Sequence, residues 1–149
     1  MFERILAPTD FSEAALGGVR MAAMLADRLN ASVALVHVFD PDELIPTGQY
    51  ALSRPAYEQM VGRLRTRAQE RLEETRGELP EGVDVTTVFL EHDSAAHAIT
   101  EHAAQTGARL IVMSTHGRGG FARLLLGSVT EKTVRLARCP VLTVPASPD

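Results

Sequence analysis

The residues best equipped for chemistry are small ones. Ser114 to Gly120 reads STHGRGG, and Gly127-Ser128 follows after six intervening residues. Glycines let a backbone approach a ligand with no Cβ in the way, and the free N–H groups that open a helix attract anions. Four apolar residues, Leu110 to Met113, deliver this loop as a short buried strand, and a helix begins at about Ser128. A strand, a glycine loop and a helix N-terminus in that order make a cradle for nucleotide phosphate. Arg118 and Arg123 lie inside the loop, where they could neutralise phosphate charge, and His116 could touch the same ligand. As exposed loop charge, the two arginines would need no ligand.

The standard phosphate loops do not fit. No stretch has the Walker A pattern G-x-x-x-x-G-K-[ST]. The relaxed dinucleotide fingerprint matches at Gly117, Gly119 and Ala122, but no acidic residue closes a following strand, so the match is accidental. The loop after the first strand lacks the glycine-rich turn of an ATP pyrophosphatase.

Each candidate also has a plain structural reading. Ser128-Val129-Thr130-Glu131 is a capping-box sequence, with serine as cap and Glu131 reaching back. Asp10 could cap a helix or accept from a ribose hydroxyl. His92, His97 and His102 recur every five residues, about 140° apart on a helix, which excludes a shared metal-binding face. His37 reads as a packed strand residue and Cys139 as a filler. No nucleophile is paired with a base, so a hydrolase triad has no support and no catalytic residue is assigned.

The elements that must position the loop alternate regularly. Arg4 to Ala7 is a strand stopped by Pro8, and Thr9 to Ser12 opens a helix with Ala15, Val19, Ala22, Ala23, Ala26 and Leu29 on one face. Asn30 ends that helix, and Ser32 to Phe39 is the second strand. Asp40 to Arg54 is the longest irregular stretch, fitting a lid, an interface or a mobile loop. Pro55 suits the first turn of a long helix, with Tyr57, Val61, Leu64, Ala68 and Leu72 inward. Arg63, Arg65, Arg67, Glu70 and Glu74 lie outward as a solvated face of mixed charge. A third strand, Asp84 to Leu90, is followed by a helix from Asp93 or Ser94 to Gly107. The last helix spans Ser128 to Arg138, and Val141 to Val144 is the last strand.

This β-α repetition predicts an open, doubly wound parallel sheet with helices on both faces. In such sheets ligands sit beyond the carboxyl ends of the strands where the order reverses, so the loops after strands one and four must be neighbours to share a site. With 149 residues the chain is expected to form one domain, residues 1–149. A formal charge of −4 argues against a general nucleic-acid binder, and no run reaches transmembrane length. Charge and proline come too early in MFERILAPTD for a secretory signal, and Cys139 is the one cysteine, so a cytoplasmic location is expected.

Two motifs at opposite ends of the chain resemble the universal stress protein family. Its ATP-binding subgroup carries G-x-x-G, nine residues, then G-S or G-T. Here Ser114-Thr115-His116-Gly117 is followed by Arg118 to Leu126, nine residues, then Gly127-Ser128. The close, VTEKTVRLARCPVLTVP, and the start, ILAPTDFSE, are also similar to the family's. The departure is Ser114, which stands where the motif has its first glycine and bears on affinity more than on fold.

The resemblance implies a Rossmann-like sheet of five strands in the order 3-2-1-4-5, which makes strands one and four neighbours. It implies that Pro8, Thr9 and Asp10 flank adenine and ribose and that the backbone of Val38 bonds adenine. Met113, Ser114 and Gly117 would line the ribose and phosphate side, and Gly127, Ser128, Val129 and Thr130 would hold the phosphates. The expected ligand is ATP, or ADP or AMP, with Mg²⁺ or Mn²⁺ held through the phosphates. The expected assembly is a homodimer through the last strand, whose edge would otherwise be exposed. The implied role is a stress-response sensor or switch. Slow ATP hydrolysis or self-phosphorylation on Ser128 or Thr130, and a non-nucleotide-binding interaction module, are the alternatives.

Overall fold

Uninterrupted apolar runs in the middle of the chain demand burial on both faces, and the sheet supplies it. The computed structural model describes residues 3–44, 52–116 and 126–146. Its strands are β1 (Arg4–Pro8), β2 (Ser32–Phe39), β3 (Val85–Glu91), β4 (Leu110–Ser114) and β5 (Val141–Val144). They form one parallel sheet in the order β3-β2-β1-β4-β5, as expected. The three central strands are almost wholly buried, whereas β3 and β5 at the edges are half-exposed.

The helices are α1 (Glu13–Leu29), α2 (Pro41–Leu44), α3 (Arg54–Gly77), α4 (Ala95–Thr106) and α5 (Ser128–Leu136). Alternation along β2 shows the two faces. Val33 and Leu35 join Val19, Ala22 and Ala26 of α1 and Leu72 of α3 in one core cluster. Ala34 and Val36 join Ile99 and Ala103 of α4 and Met113 of β4 in the other. Helices α1 and α3 therefore cover one face, with α4 and α5 on the other.

Local signals account for most helix ends. Ser12, Ser53 and Ser94 each cap the helix that follows with the side-chain oxygen. Asn30 and Gly107 close α1 and α4 in the left-handed conformation, with φ of 52° and 68°.

Some expectations shift. The buried stripe of α1 ends at Ala26, because Leu29 is 42% exposed in the last turn. Part of the stretch read as irregular is helical: Asp40 accepts from the backbone N–H of Asp42 and starts α2. Residues 45–51 of that stretch lie outside the described residues. Arg65 is not simply outward, for it pairs with Glu91 at the end of β3 and lies over the ring of Phe39. Helix α5 stops at Leu136, short of Arg138.

Candidate functional site

The turn after β1 is built by its own side chains. Thr9 extends the ladder by donating its N–H to Val36 O at 2.8 Å, and its Oγ1 accepts from the N–H of Phe11 at 3.0 Å. Asp10 Oδ1 accepts from both the N–H and the hydroxyl of Ser12, at 3.0 and 2.5 Å. Asp10 thus holds the turn, while Ser12 caps α1. Between them Phe11 is forced to φ 68°, a left-handed conformation rare for a bulky residue. Its ring is buried against His37, with centroids 4.4 Å apart. His37 Nδ1 lies 2.8 Å from Thr9 O. A carbonyl can only accept, so Nδ1 carries the proton.

The turn after β4 is tied to α5. Ser114 Oγ donates to His116 O at 2.6 Å, and Gly127 N–H donates to Thr115 O at 2.6 Å. Thr130, 3% exposed, donates its hydroxyl to Ser114 O at 2.8 Å. Ser114, in place of a glycine, thus spends its hydroxyl on the turn itself. Thr130→Val should strand that buried carbonyl and cost about 1–3 kcal/mol, read as a lower urea midpoint with an unchanged slope.

The capping box does not form. The N-cap is Gly127, which has no side chain to cap with, and Ser128 is the first helical residue. Glu131 pairs with Arg135 one turn on, at 2.9 Å. Glu131 N–H, donating to Gly127 O at 2.9 Å, is the first N–H of the helix to reach a helical carbonyl. The N–H groups before it face outward from the helix start with no intrahelical partner.

These turns meet at the carboxyl ends of β1, β2 and β4 around a cavity of about 760 Å³. Pro8, Thr9 and Asp10 line it from β1, Val38 from β2, and Met113, Ser114 and His116 from β4. Gly127, Ser128, Val129 and Thr130 line it from the start of α5. Gly117, Arg118 and Arg123 lie outside the described residues. Adjacency of β1 and β4 brings the two halves together, which the order of the chain alone does not require.

The sequence reading missed a second wall. Phe11, His37, Phe39, Leu64, Arg67 and Arg71 also line the cavity, from the face covered by α1 and α3. Strand alternation was the available signal: if Val38 serves one face, His37 and Phe39 must serve the other. Among the described residues no group of three or more His, Cys, Asp or Glu could hold a metal, although His92 and His97 do stack, 6.4 Å apart. Nor, among those residues, is any helix long and apolar enough to cross a membrane.

Comparison with known proteins decides the family. The family model described as the universal stress protein family matches residues 1–145. The chain belongs to that family. It is 33% identical over 145 residues to universal stress protein MJ0531 of Methanocaldococcus jannaschii, covering 97% of this chain and 82% of that one. The solved structure of MJ0577, from the same organism, superposes with a TM-score of 0.78 at 26% identity, covering 100% and 99% of the two chains. A universal stress protein from Archaeoglobus fulgidus in complex with dAMP shares the fold, with a TM-score of 0.60 at 21% identity over 96% and 97% of the chains. Membership fits the observed sheet, since solved structures of universal stress proteins share this chain's fold.

Proposed function

We propose that this universal stress protein domain, residues 1–149, binds an adenine nucleotide, ATP first, and acts as a homodimeric sensor or switch. The observation that carries the reading is the uncapped start of α5 opening on a cavity that Thr9, Asp10 and Val38 also line. Helix N–H groups with no partner inside the helix, together with the helix dipole, favour phosphate there. Asp10 offers a carboxylate for ribose hydroxyls, and Val38, at the end of β2, offers backbone groups for adenine. A cavity of this size lies in the range of small-molecule sites. The dAMP of the Archaeoglobus structure supports the same ligand class. Mg²⁺ or Mn²⁺ would be carried by phosphate oxygens.

The dimer surface in this reading is β5, an edge strand whose Leu142 is 40% exposed, beside Leu136 of α5 at 39%. Pairing of two such edges would cover both residues.

Thermal unfolding with and without 1 mM ATP and Mg²⁺ tests the reading. At roughly a hundred times its dissociation constant, ATP should add about 2.7 kcal/mol, an upward shift on the order of several degrees. No shift, and none with ADP or AMP, would leave an interaction module. Release of ADP in proportion to protein, lost in Asp10→Asn while binding persists, would instead make the protein a slow hydrolase.

A further inference from the structure

The cavity is lined from both sides of the sheet's carboxyl edge, which divides its lining into two lobes. Val36, Val38 and Met113 belong to the side of α4 and α5, where the nucleotide is placed above. Phe11, His37, Phe39 and Leu64 belong to the side of α1 and α3. The second lobe is walled by aromatic and aliphatic groups. The tilted rings of Phe11 and His37 lie with centroids 4.4 Å apart, and Phe39 packs against Phe89 at 5.6 Å.

Two arginines close this apolar wall. Arg67 and Arg71 stand one turn apart on α3, both exposed and both lining the cavity. Arg71 lies over the Phe11 ring, 4.8 Å from its centroid. Among the described residues neither guanidinium has an ion pair or a hydrogen bond. Their neighbours differ: Arg54 pairs with Glu58, Arg65 with Glu91, and Arg76 with Glu73. Among the described residues Arg63, Arg67 and Arg71 of α3 have no such pair, and of these three Arg67 and Arg71 line the cavity.

We infer that the lobe between α1 and α3 is a second binding site, for a planar organic anion whose rings enter the aromatic wall and whose single charged group meets Arg67 and Arg71. Guanidinium groups match carboxylate, sulfonate or phosphate oxygens two at a time, and they stack on rings. Asp40 and Glu43 line the same cavity, so the lobe takes one anionic group and rejects a polyanion. Phe11 links this lobe to the other. Its strained backbone is held by Thr9 Oγ1, and Thr9 and Asp10 belong to the nucleotide side.

Fluorescence titration of the folded protein with anilinonaphthalene sulfonate tests the inference. Saturable binding is expected, weakened about tenfold or more in the Arg67→Gln/Arg71→Gln variant. Phenylnaphthylamine, the same ring system without the sulfonate, should bind about tenfold more weakly or worse. Saturating ATP with Mg²⁺ should leave probe binding in place. Wild-type affinity in the double variant, at an unchanged unfolding temperature, would overturn the inference. So would equal binding of the neutral probe, or complete displacement by ATP. Should the double variant fail to fold, Arg67→Gln alone decides, since Arg67 has no described partner to lose. If ATP itself does not bind, the nucleotide reading fails while the arginine dependence still judges this one.

Discussion

Gly18→Val is expected to destabilise the fold by about 3 kcal/mol, whereas Gly17→Ala, one residue earlier, should stabilise it by up to about 1 kcal/mol. The two glycines share a helix and differ only in what they face. A Cβ on Gly18 would lie 2.8 Å from the backbone nitrogen of Ser114 and 3.1 Å from the carbonyl carbon of Met113. Backbone in a central strand has nowhere to go, so α1 must lift away from β4. A Cβ on Gly17 meets nothing within 4 Å and gains ordinary helix propensity. Urea unfolding of the two variants should move the midpoint in opposite directions at constant slope. For a domain of this size, the loss at Gly18 amounts to about 10 °C in Tm. The displaced atoms are those of Met113 and Ser114, so Gly18→Val should also weaken nucleotide binding. Equal stability of the two variants would mean that α1 does not approach β4 this closely.

Ser128→Pro is expected to weaken ATP binding by about tenfold to a hundredfold while leaving stability within about 0.5 kcal/mol. Proline is well tolerated at the first position of a helix, because the N–H it lacks has no partner inside the helix. Gly127, the residue before it, already has φ −68° and ψ 162°, the extended conformation that proline requires of its predecessor. The substitution therefore removes one donor from the proposed phosphate site and little else. A hydrogen bond to a charged group contributes about 1.5–3 kcal/mol, which sets the expected range. Ser128→Ala keeps the backbone N–H and should bind within a few-fold of wild type. Calorimetric titration of the three proteins separates the cases. Unchanged affinity in Ser128→Pro would move the phosphates away from the start of α5.

Much of the candidate site was legible because a phosphate cradle of the kind proposed is made of local backbone. Gly127 followed by a helix and Asp10 at the end of a strand are readable from neighbours in the chain, and both line the cavity. The capping-box sequence forms no box because Gly127, and not Ser128, takes the N-cap position. The start of the helix at Ser128, rather than one residue later, is set by Gly127 N–H bonding Thr115 O, twelve positions back. Arg67 reads as solvated because acids are interleaved with arginines along α3, and Arg71 carries no signal of its own in the sequence. The fold instead pairs Arg65 with Glu91 on another element and leaves those two at the cavity.

Local chemistry by itself determined the alternation of strands and helices, the serine caps at Ser12, Ser53 and Ser94, and the left-handed ends at Asn30 and Gly107, because each depends on residues within a few positions. The resemblance carried by the two end motifs determined the sheet order. Only the tertiary structure decided that the Phe11 ring packs against His37, that Gly18 presses on β4, and that the cavity has a second wall. Each of these is a contact between elements far apart in the chain, fixed by how α1 and α3 pack on one face of the sheet, and no local pattern encodes the distance across that packing.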